Sequence, residues 1–539
     1  MADDSDMVIL TNISVLKQKY GTQGYTKLQA AVKQLIASDQ KRGLKTIQVG
    51  VDDATAMGKL KAKPVTDPAS ARQNKAAIDG VYKALKPDYL MILGSVDVIP
   101  HQDLVNPAYD PSPDGDPDRL APGDLPYACD APYSTAISDS TGPTRVVGRL
   151  PDLTNGKDPD YLVGLLTTAA NYKGQPAEKY SSFLGISADV WRVSTSLSLQ
   201  AAFGSSSDLQ VSPPDGPDGQ WPADLLGRLT HFINCHGATA DYHFYGQPDH
   251  QDEYPIAHDA NRLPGQITEG TIVTAECCYG AELYDPSLTG GQMGICNAYL
   301  AEKAYGYFGS TTIAYGPDDH NDNADLICQY YFKHMLSGSS SGRAALQARL
   351  DFIAARSPLD PYNAKTLGQY ILIGDPSIHP VVAPSVTHAL AGMQPRRGKA
   401  RPEMISALSV GPDPWGANRA LRRYRLEVLG KAIGASARVA EPAERAAHPK
   451  VRRALMEAAE PFKLKKFSFR TYDVSATVRP SRKGTKTARA KAMTSTAGPT
   501  AFYVATAALP RSKAPARQLL VLIAKEIDGS YIIDRLSSR

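Results

Sequence analysis

The stretch "SARQNKAAIDGVYKALKPDYLMILGSVDVIP", Ser70–Pro100, changes its hydrophobic period halfway along. As far as Lys86 the apolar residues recur every three or four positions, which predicts a helix with one buried stripe. From Tyr89 the apolar residues run together, which predicts a strand ending in a turn. The chain upstream repeats the pattern. "MVILTNI" reads as a strand, "GYTKLQAAVKQLIASDQKRG" as a helix closed by Gly43, and "KTIQVGVD" as a second strand. The resulting βαβαβ order predicts an α/β fold, a mostly parallel sheet with helices on both faces.

Downstream, a Pro/Gly/Asp-rich loop, "YDPSPDGDPDRLAPGD", interrupts the alternation. It resumes with "TRVVGRLPD", the helix "DPDYLVGLLTTAANYK" and the strands "DVWRVSTSL", "LTHFINC" and "GTIVTAEC". The helix "GICNAYLAEKAYG", the strand "YFGSTTIAYG", helices at "ADLICQYYFKHML" and "GRAALQARLDFIAA", and a last strand "GQYILIGDP" follow. Two α/β halves of one body are expected, residues 1–165 and 166–390, with residues 391–539 as a separate unit.

Charge supports that last division. The 539 residues carry a formal net charge of +4, yet residues 391–539 hold 30 Lys+Arg against 11 Asp+Glu, leaving 29 against 44 for residues 1–390. An acidic body is thus joined to a basic α+β domain through the linker "HPVVAPSVTHALAGMQPRRGKARPE". In the basic domain "NRALRRYRLEVLGKAIGA" and "HPKVRRALMEAAEPF" read as helices. "KKFSFRTYDVSATV", "TAFYVATAAL" and "RQLLVLIAKEIDGSYIIDRL" read as strands, the last a hairpin turning at Asp528-Gly529. Opposite charges lead us to expect the basic domain to dock on the acidic body or on an acidic partner, and its loop "VRPSRKGTKTARAKAMTS" suits nucleic acid as well.

Acids at the N-terminus in place of a secretory leader, and no apolar run near the roughly 18 residues needed to cross a bilayer, favour a cytoplasmic protein without a membrane partner. The six cysteines (Cys129, Cys235, Cys277, Cys278, Cys296 and Cys328) cluster mid-chain, as free thiols rather than a disulfide framework. Adjacent Cys277 and Cys278 present sulfurs poorly to one zinc ion, and "GGQMG" lacks the spacing of a dinucleotide loop, so no metal or cofactor is expected. "GSSSG", Gly338–Gly342, joins two helices rather than a strand and a helix, and reads as a linker instead of a serine-hydrolase elbow.

Two apolar runs end at reactive side chains: "LTHFINC" at His236, and "GTIVTAE" at Cys277. Ligands of open α/β sheets bind beyond the carboxyl ends of the strands, where both residues fall. Gly237 lets the backbone turn sharply and leaves its N–H open to a developing oxyanion. A thiol with an ordinary pKa of about 8.5 is mostly protonated at neutral pH, and a neighbouring imidazole can lower that value and protonate a leaving group. A lone buried His or Cys is more often core than catalyst; the pair at two strand ends is what points to thiol chemistry.

Strand-His-Gly followed by strand-Cys resembles the caspase-like cysteine peptidases, and the gingipain branch fits best. "YLMILGSVDVIP", "RVVGRLPD" and "YILIGDPSIHP" are similar to three segments of that branch, in the same order, over roughly residues 5–385. The resemblance implies a cysteine endopeptidase acting on protein or peptide substrates through a covalent thioester. Cys277 would be the nucleophile, because it has a glycine, Gly280, three residues on as in gingipains; Cys278 would match the caspase spacing and turn into the core. His236 would be the proton carrier, with Gly237 and Cys277 supplying the oxyanion N–H groups. Asp318 and Asp319 of "GPDDHNDNAD" would line a pocket for a basic side chain, beside Tyr279. Where gingipains carry an acid to orient the histidine, this chain has Thr144 and Arg145, with Asp139 and Asp152 the nearest acids. A caspase-fold scaffold without activity is the alternative.

Overall fold

Asn12 ends a strand and starts a helix in one residue. Its Oδ1 accepts the Val15 N–H at 3.1 Å, so the chain passes directly from β1, Met7–Thr11, into α1, Ile13–Lys41. In the computed structural model, residues 5–249, 251–356, 360–382, 439–464, 466–474, 499–509, 516–527 and 530–539 are described. The strands that follow are β2 Thr46–Gly50, β3 Tyr89–Leu93, β4 Val146–Leu150, β5 Leu184–Ala188, β6 Leu209–Ser212, β7 Thr230–Asn234, β8 Ile272–Ala275 and β9 Gly306–Ser310. Next come a two-residue strand β10, Tyr315–Gly316, and then β11, Tyr370–Ile373.

Ten of these form one sheet in the order β2-β1-β3-β4-β11-β9-β8-β7-β5-β6. Pairing is parallel throughout except at β11 and β9, where Tyr307 faces Ile373 in antiparallel register. The sheet is therefore two parallel blocks running in opposite senses, and β11, from late in the chain, completes the N-terminal block. Helices α2 Ala71–Leu85, α3 Asp160–Asn171, α4 Arg192–Phe203, α5 Ile295–Ala301, α6 Asn323–Leu336, α7 Ser341–Ala355 and α8 Pro361–Gln369 cover it. β1, β3, β4 and β7 to β9 are buried along their whole length, as strands covered on both faces must be.

Three local expectations are corrected. "DVWRVSTSL" is not a strand but a short 3-10 turn leading into α4, and the strand is β5 just upstream. Its β-like composition misleads because Ser194 and Thr195 bond back to the Trp191 carbonyl at 3.2 and 2.9 Å, which satisfies their hydroxyls inside a helix. α1 starts eleven residues earlier than periodicity suggests, with a kink at Gly21. α8, read as loop, begins at an Asp360 cap with Pro361 in its first position.

The segments that carry the family resemblance meet where β3, β4 and β11 end, in the N-terminal block. Buried Arg149 of β4 bonds Asp124 at 2.6 and 2.8 Å and the carbonyls of Gly94 and Ile99 at 3.0 and 2.8 Å. Gly374 N–H bonds Arg149 O at 2.7 Å, and Asp375 accepts from Ser377 N–H and Oγ at 2.8 Å each. None of these bonds involves His236 or a cysteine; they tie β4 to the chain just beyond β3 and β11.

β12 Glu441–Ala443, β13 Ser468–Asp473, β14 Ala501–Ala508, β15 Leu519–Ile527 and β16 Ser530–Ser538 form an antiparallel sheet backed by α9, Pro449–Ala459. Its far edge is β10 of the main body, which pairs Tyr315 with Ser538 and Gly316 with Ser537. The predicted helix over residues 418–435, the basic loop over 478–495, most of the linker and the Asp528-Gly529 turn lie outside the described residues. Among the described residues no helix is long and apolar enough to cross a membrane.

Burial pushes the Asp124 carboxyl up, but the Arg149 guanidinium and His101 outweigh it and hold the group well below the usual carboxylate range. Arg149→Met strands that buried charge and should cost about 3–5 kcal/mol in urea unfolding. A wild-type midpoint with an unchanged slope would contradict this account of the Arg149–Asp124 pair.

Candidate functional site

β7 and β8 are neighbours, paired in parallel with Ile233 opposite Ala275, so both chains leave the sheet at one edge. Side chains alternate along an extended chain, which sorts the residues beyond that edge into two groups. Cys235 and Cys277 turn into the main core, where the Cys277 sulfur lies 3.9 Å from Ile233 O, near Tyr299 and Tyr307. Asn234, His236, Glu276 and Cys278 take the other side. Asn234 Nδ2 donates to Thr195 Oγ1 at 3.0 Å and reaches Asp325 Oδ1 at 3.5 Å, and the Glu276 carboxyl interacts with that same Asp325. The Cys278 sulfur is 3.6 Å from Ala314 O and packs with Ile313, Tyr315 and the apolar face of the C-terminal sheet. The sequence reading expects Cys277 at the cleft and Cys278 in the core; in the structure both are buried, Cys277 in the main core and Cys278 against the apolar face of the C-terminal sheet.

The cause is the turn that follows. Tyr279 adopts φ +54°, a left-handed conformation that bulky residues rarely enter unless their surroundings hold them there. Its N–H bonds Thr312 O at 3.0 Å and its hydroxyl donates to Asp118 Oδ1 at 2.7 Å. Asp118 is held in turn by Lys365 Nζ at 3.0 Å and by the Ile313 N–H at 2.9 Å, while Lys365 also bonds Asp116 at 2.7 Å. The Asp-rich loop therefore sends two acids inward to brace the Cys278 turn. Tyr279, expected to touch substrate, has its hydroxyl committed to that brace. Gly237 is required for space: a Cβ there would lie 1.9 Å from Cys278 O and 3.4 Å from Cys277 Cβ.

His236 is fully buried between Trp191, 4.3 Å away ring to ring, and Tyr254 at 5.1 Å. Its Nε2 lies 2.8 Å from Gln247 Oε1, and Gln247 donates its own amide N–H to Gln251 O at 2.9 Å. With the oxygen of Gln247 turned to the ring, Nε2 must carry the proton, which leaves Nδ1 as the basic nitrogen. A neutral amide thus stands where an orienting acid is expected. Asp152 is bonded to Ser95 N–H at 2.6 Å and paired with Lys19 at 2.6 Å, while Arg145 pairs with Asp79 and Asp130.

Asp318 and Asp319 do not line a cavity by the sulfur. Asp318 bonds Arg535 of β16 at 2.6 Å, and Asp319 lies 3.8 Å from the same guanidinium. The acid beside Asn234 and Glu276 is Asp325, at the end of the same acidic stretch, in the first turn of α6 and fully buried. Arg539 Nη2 bonds both Asp325 oxygens, at 3.0 and 2.8 Å, and Pro317 O at 2.8 Å. The Arg539 guanidinium also stacks on Trp191 at 4.5 Å, the ring whose neighbour is His236. Trp191 is missed because its segment reads as a strand. Asp325 is missed because its burial depends on long-range packing.

Burial pushes the Glu276 carboxyl far up, with Asp325 adding to the effect; Asp325 is raised by burial against the pull of Arg539. Burial also lifts the Cys278 thiol to about 12 and Cys277 well above its ordinary value. Among the described residues, no group of three or more His, Cys, Asp and Glu is arranged to hold a metal ion.

No family model matches the chain, and no curated protein matches it. A solved structure described as "Structure of Protease" aligns over 100% of this chain and 98% of its own length, at 12% identity and a TM-score of 0.45, too weak a likeness to speak to activity.

A thiol raised in the folded state favours folding below its unfolded pKa of about 8.5, and that contribution fades as pH climbs toward 12. Between pH 9 and pH 11 the wild type should therefore lose about 1.4 kcal/mol of unfolding free energy per pH unit more than Cys278→Ala. Equal alkaline slopes in urea titrations would show that Cys278 is not held as a buried thiol.

Proposed function

We propose that the chain is a cysteine peptidase of the caspase-like kind, with Cys278 rather than Cys277 as nucleophile and His236 as its proton carrier, held latent by the C-terminal sheet. The observation that carries this reading is that strand alternation puts His236 and Cys278 on one side of the β7–β8 edge, with Trp191 and Arg539, while Cys277 lies in the main core.

In the reaction His236 Nδ1 takes the Cys278 proton, and the thiolate adds to the scissile carbonyl carbon. The oxyanion is met by the N–H groups of Gly237 and Cys278. Return of the proton from His236 to the amine breaks the C–N bond and leaves a thioester. Water, deprotonated by His236, adds to that thioester, and collapse releases the acid and restores the thiol. Gln247 serves as a positioning residue for the imidazole.

The latent state is supported by the cover over Cys278 and by its raised pKa, since a buried neutral thiol is a poor nucleophile. Docking of the basic domain would draw on Arg535 with Asp318, Lys525 with Asp360 at 3.5 Å, and Arg470 with Asp110 at 3.7 Å. The same cover also favours a second reading, a scaffold whose cleft is permanently filled.

Cleavage of a peptide library and labelling by an electrophilic peptide, with and without mild denaturant, separate the two. Cys278→Ala and His236→Ala should each lower cleavage by at least about a thousandfold, while Cys277→Ala stays within about tenfold of wild type. Loss confined to Cys277→Ala would show the other sulfur to be the nucleophile. A wild type that neither cleaves nor labels in any condition would favour the scaffold.

A further inference from the structure

The C-terminal sheet has two unlike faces. One lies on the main body through Val504, Val521, Ile523 and Leu536, and Arg470, Lys525 and Arg535 pair with acids of that body. The opposite face packs on α9 through Tyr503, Ala505, Leu522 and Ala524. A helix of 11 residues does not cover it. Phe467 and Phe469, two positions apart and so on one side of the chain that enters β13, are left half-buried there, with ring centroids 6.3 Å apart. Across the ladder Phe469 faces Ala505, whose methyl group is too small to roof a phenyl ring.

Cations surround the two rings. Arg452 of α9 holds its guanidinium 4.4 Å from the centre of Phe469. Lys450 and Arg453 are exposed on the same half of that helix, whose one acid, Glu457, falls in its last turn. Lys463 and Lys466 are exposed on the segment that joins α9 to β13. The wider excess is read from the sequence, 30 Lys+Arg against 11 Asp+Glu over residues 391–539. Flat rings set among cations suit a polyanion that also offers flat apolar groups, because bases stack on the rings while phosphates meet the cations. A duplex keeps its base faces inside, and an acidic protein would use the cations but gain little from the rings.

We propose that this face binds single-stranded nucleic acid, with bases stacked on Phe467 and Phe469 and phosphates held by Arg452, Arg453 and Lys466. The proposal does not depend on the peptidase reading.

Fluorescence anisotropy of the full-length chain with labelled uridine and thymidine strands of about 20 nucleotides tests it. Binding should fall steeply between about 50 and 200 mM salt, and Arg453→Ala or Lys466→Ala should each take roughly 0.7 off the slope of log K against log salt. Phe467→Leu and Phe469→Leu keep an apolar side chain beside α9 but lose the flat ring, and each should weaken binding at least about fivefold, while Phe469→Tyr holds it near wild type. Urea unfolding shows that each variant folds; should Phe469→Leu fail, Phe467→Leu, ahead of the strand, carries the same test. Tighter binding of either strand supports the proposal and tells RNA from DNA. No binding at the lower salt, binding indifferent to both ring substitutions, or a duplex held as tightly as the single strand overturns it. Displacement of the strand by polyglutamate at equal charge concentration also overturns it, and assigns the face to an acidic protein.

Discussion

The register of β7 against β8 governs the site. With Ile233 opposite Ala275, the two chains leave the sheet side by side, and strand alternation decides which side chains share a face. A shift of one residue in either chain would exchange Cys277 for Cys278, or Asn234 and His236 for Cys235. Register is strongly specified here because both strands are buried on both faces, so slippage would drive Thr230, Asn234 and Thr274 into apolar surroundings. The chemistry open to the edge follows from packing several residues back.

The second constraint is electrostatic. Asp325, Glu276 and Arg539 form a buried group in which each member makes sense only with the others present. Asp325 of α6 and Glu276, just beyond β8, would repel in a dry site, and the Arg539 guanidinium over Asp325 offsets that repulsion. The cation comes from Arg539, just past β16 and more than two hundred residues away, so the main body and the C-terminal sheet share one ion-pair site. Trp191 links that site to His236, through a cation–π contact with Arg539 and a tilted ring contact with the imidazole. The Lys365 cluster does the corresponding work for the Cys278 turn, where two acids of the Asp-rich loop are drawn in by one buried ammonium.

Much of the architecture is legible in local pattern. The alternation from Met7 to Leu93 marks the strands of the first block and their helices, because parallel strands and amphipathic helices write different periods into the chain. Periodicity does not reveal the reversal at β9 and β11, which depends on where the last strand inserts. "DVWRVSTSL" misleads because hydroxyls that bond their own helix backbone look like strand residues in a composition count. His236 and the cysteine pair are legible as strand ends, but the choice of sulfur is not. Counting to Gly280 assumes a turn geometry, and the left-handed Tyr279 replaces it with another through bonds to Thr312 and to Asp118, a residue more than a hundred positions upstream. Asp325 stands in the same acidic stretch as Asp318 and Asp319, yet nothing local distinguishes the acid buried beside Glu276 from those that face Arg535.

An experimentally determined structure that measures the distance from His236 Nδ1 to each of the two adjacent sulfurs tests this account most directly. The account requires Cys278 Sγ to be the nearer, on the side of the sheet edge where Arg539 lies over Trp191, with Cys277 Sγ beneath that edge near Tyr299 and Tyr307. A structure with Cys277 Sγ facing the imidazole and Cys278 packed in the core would contradict it.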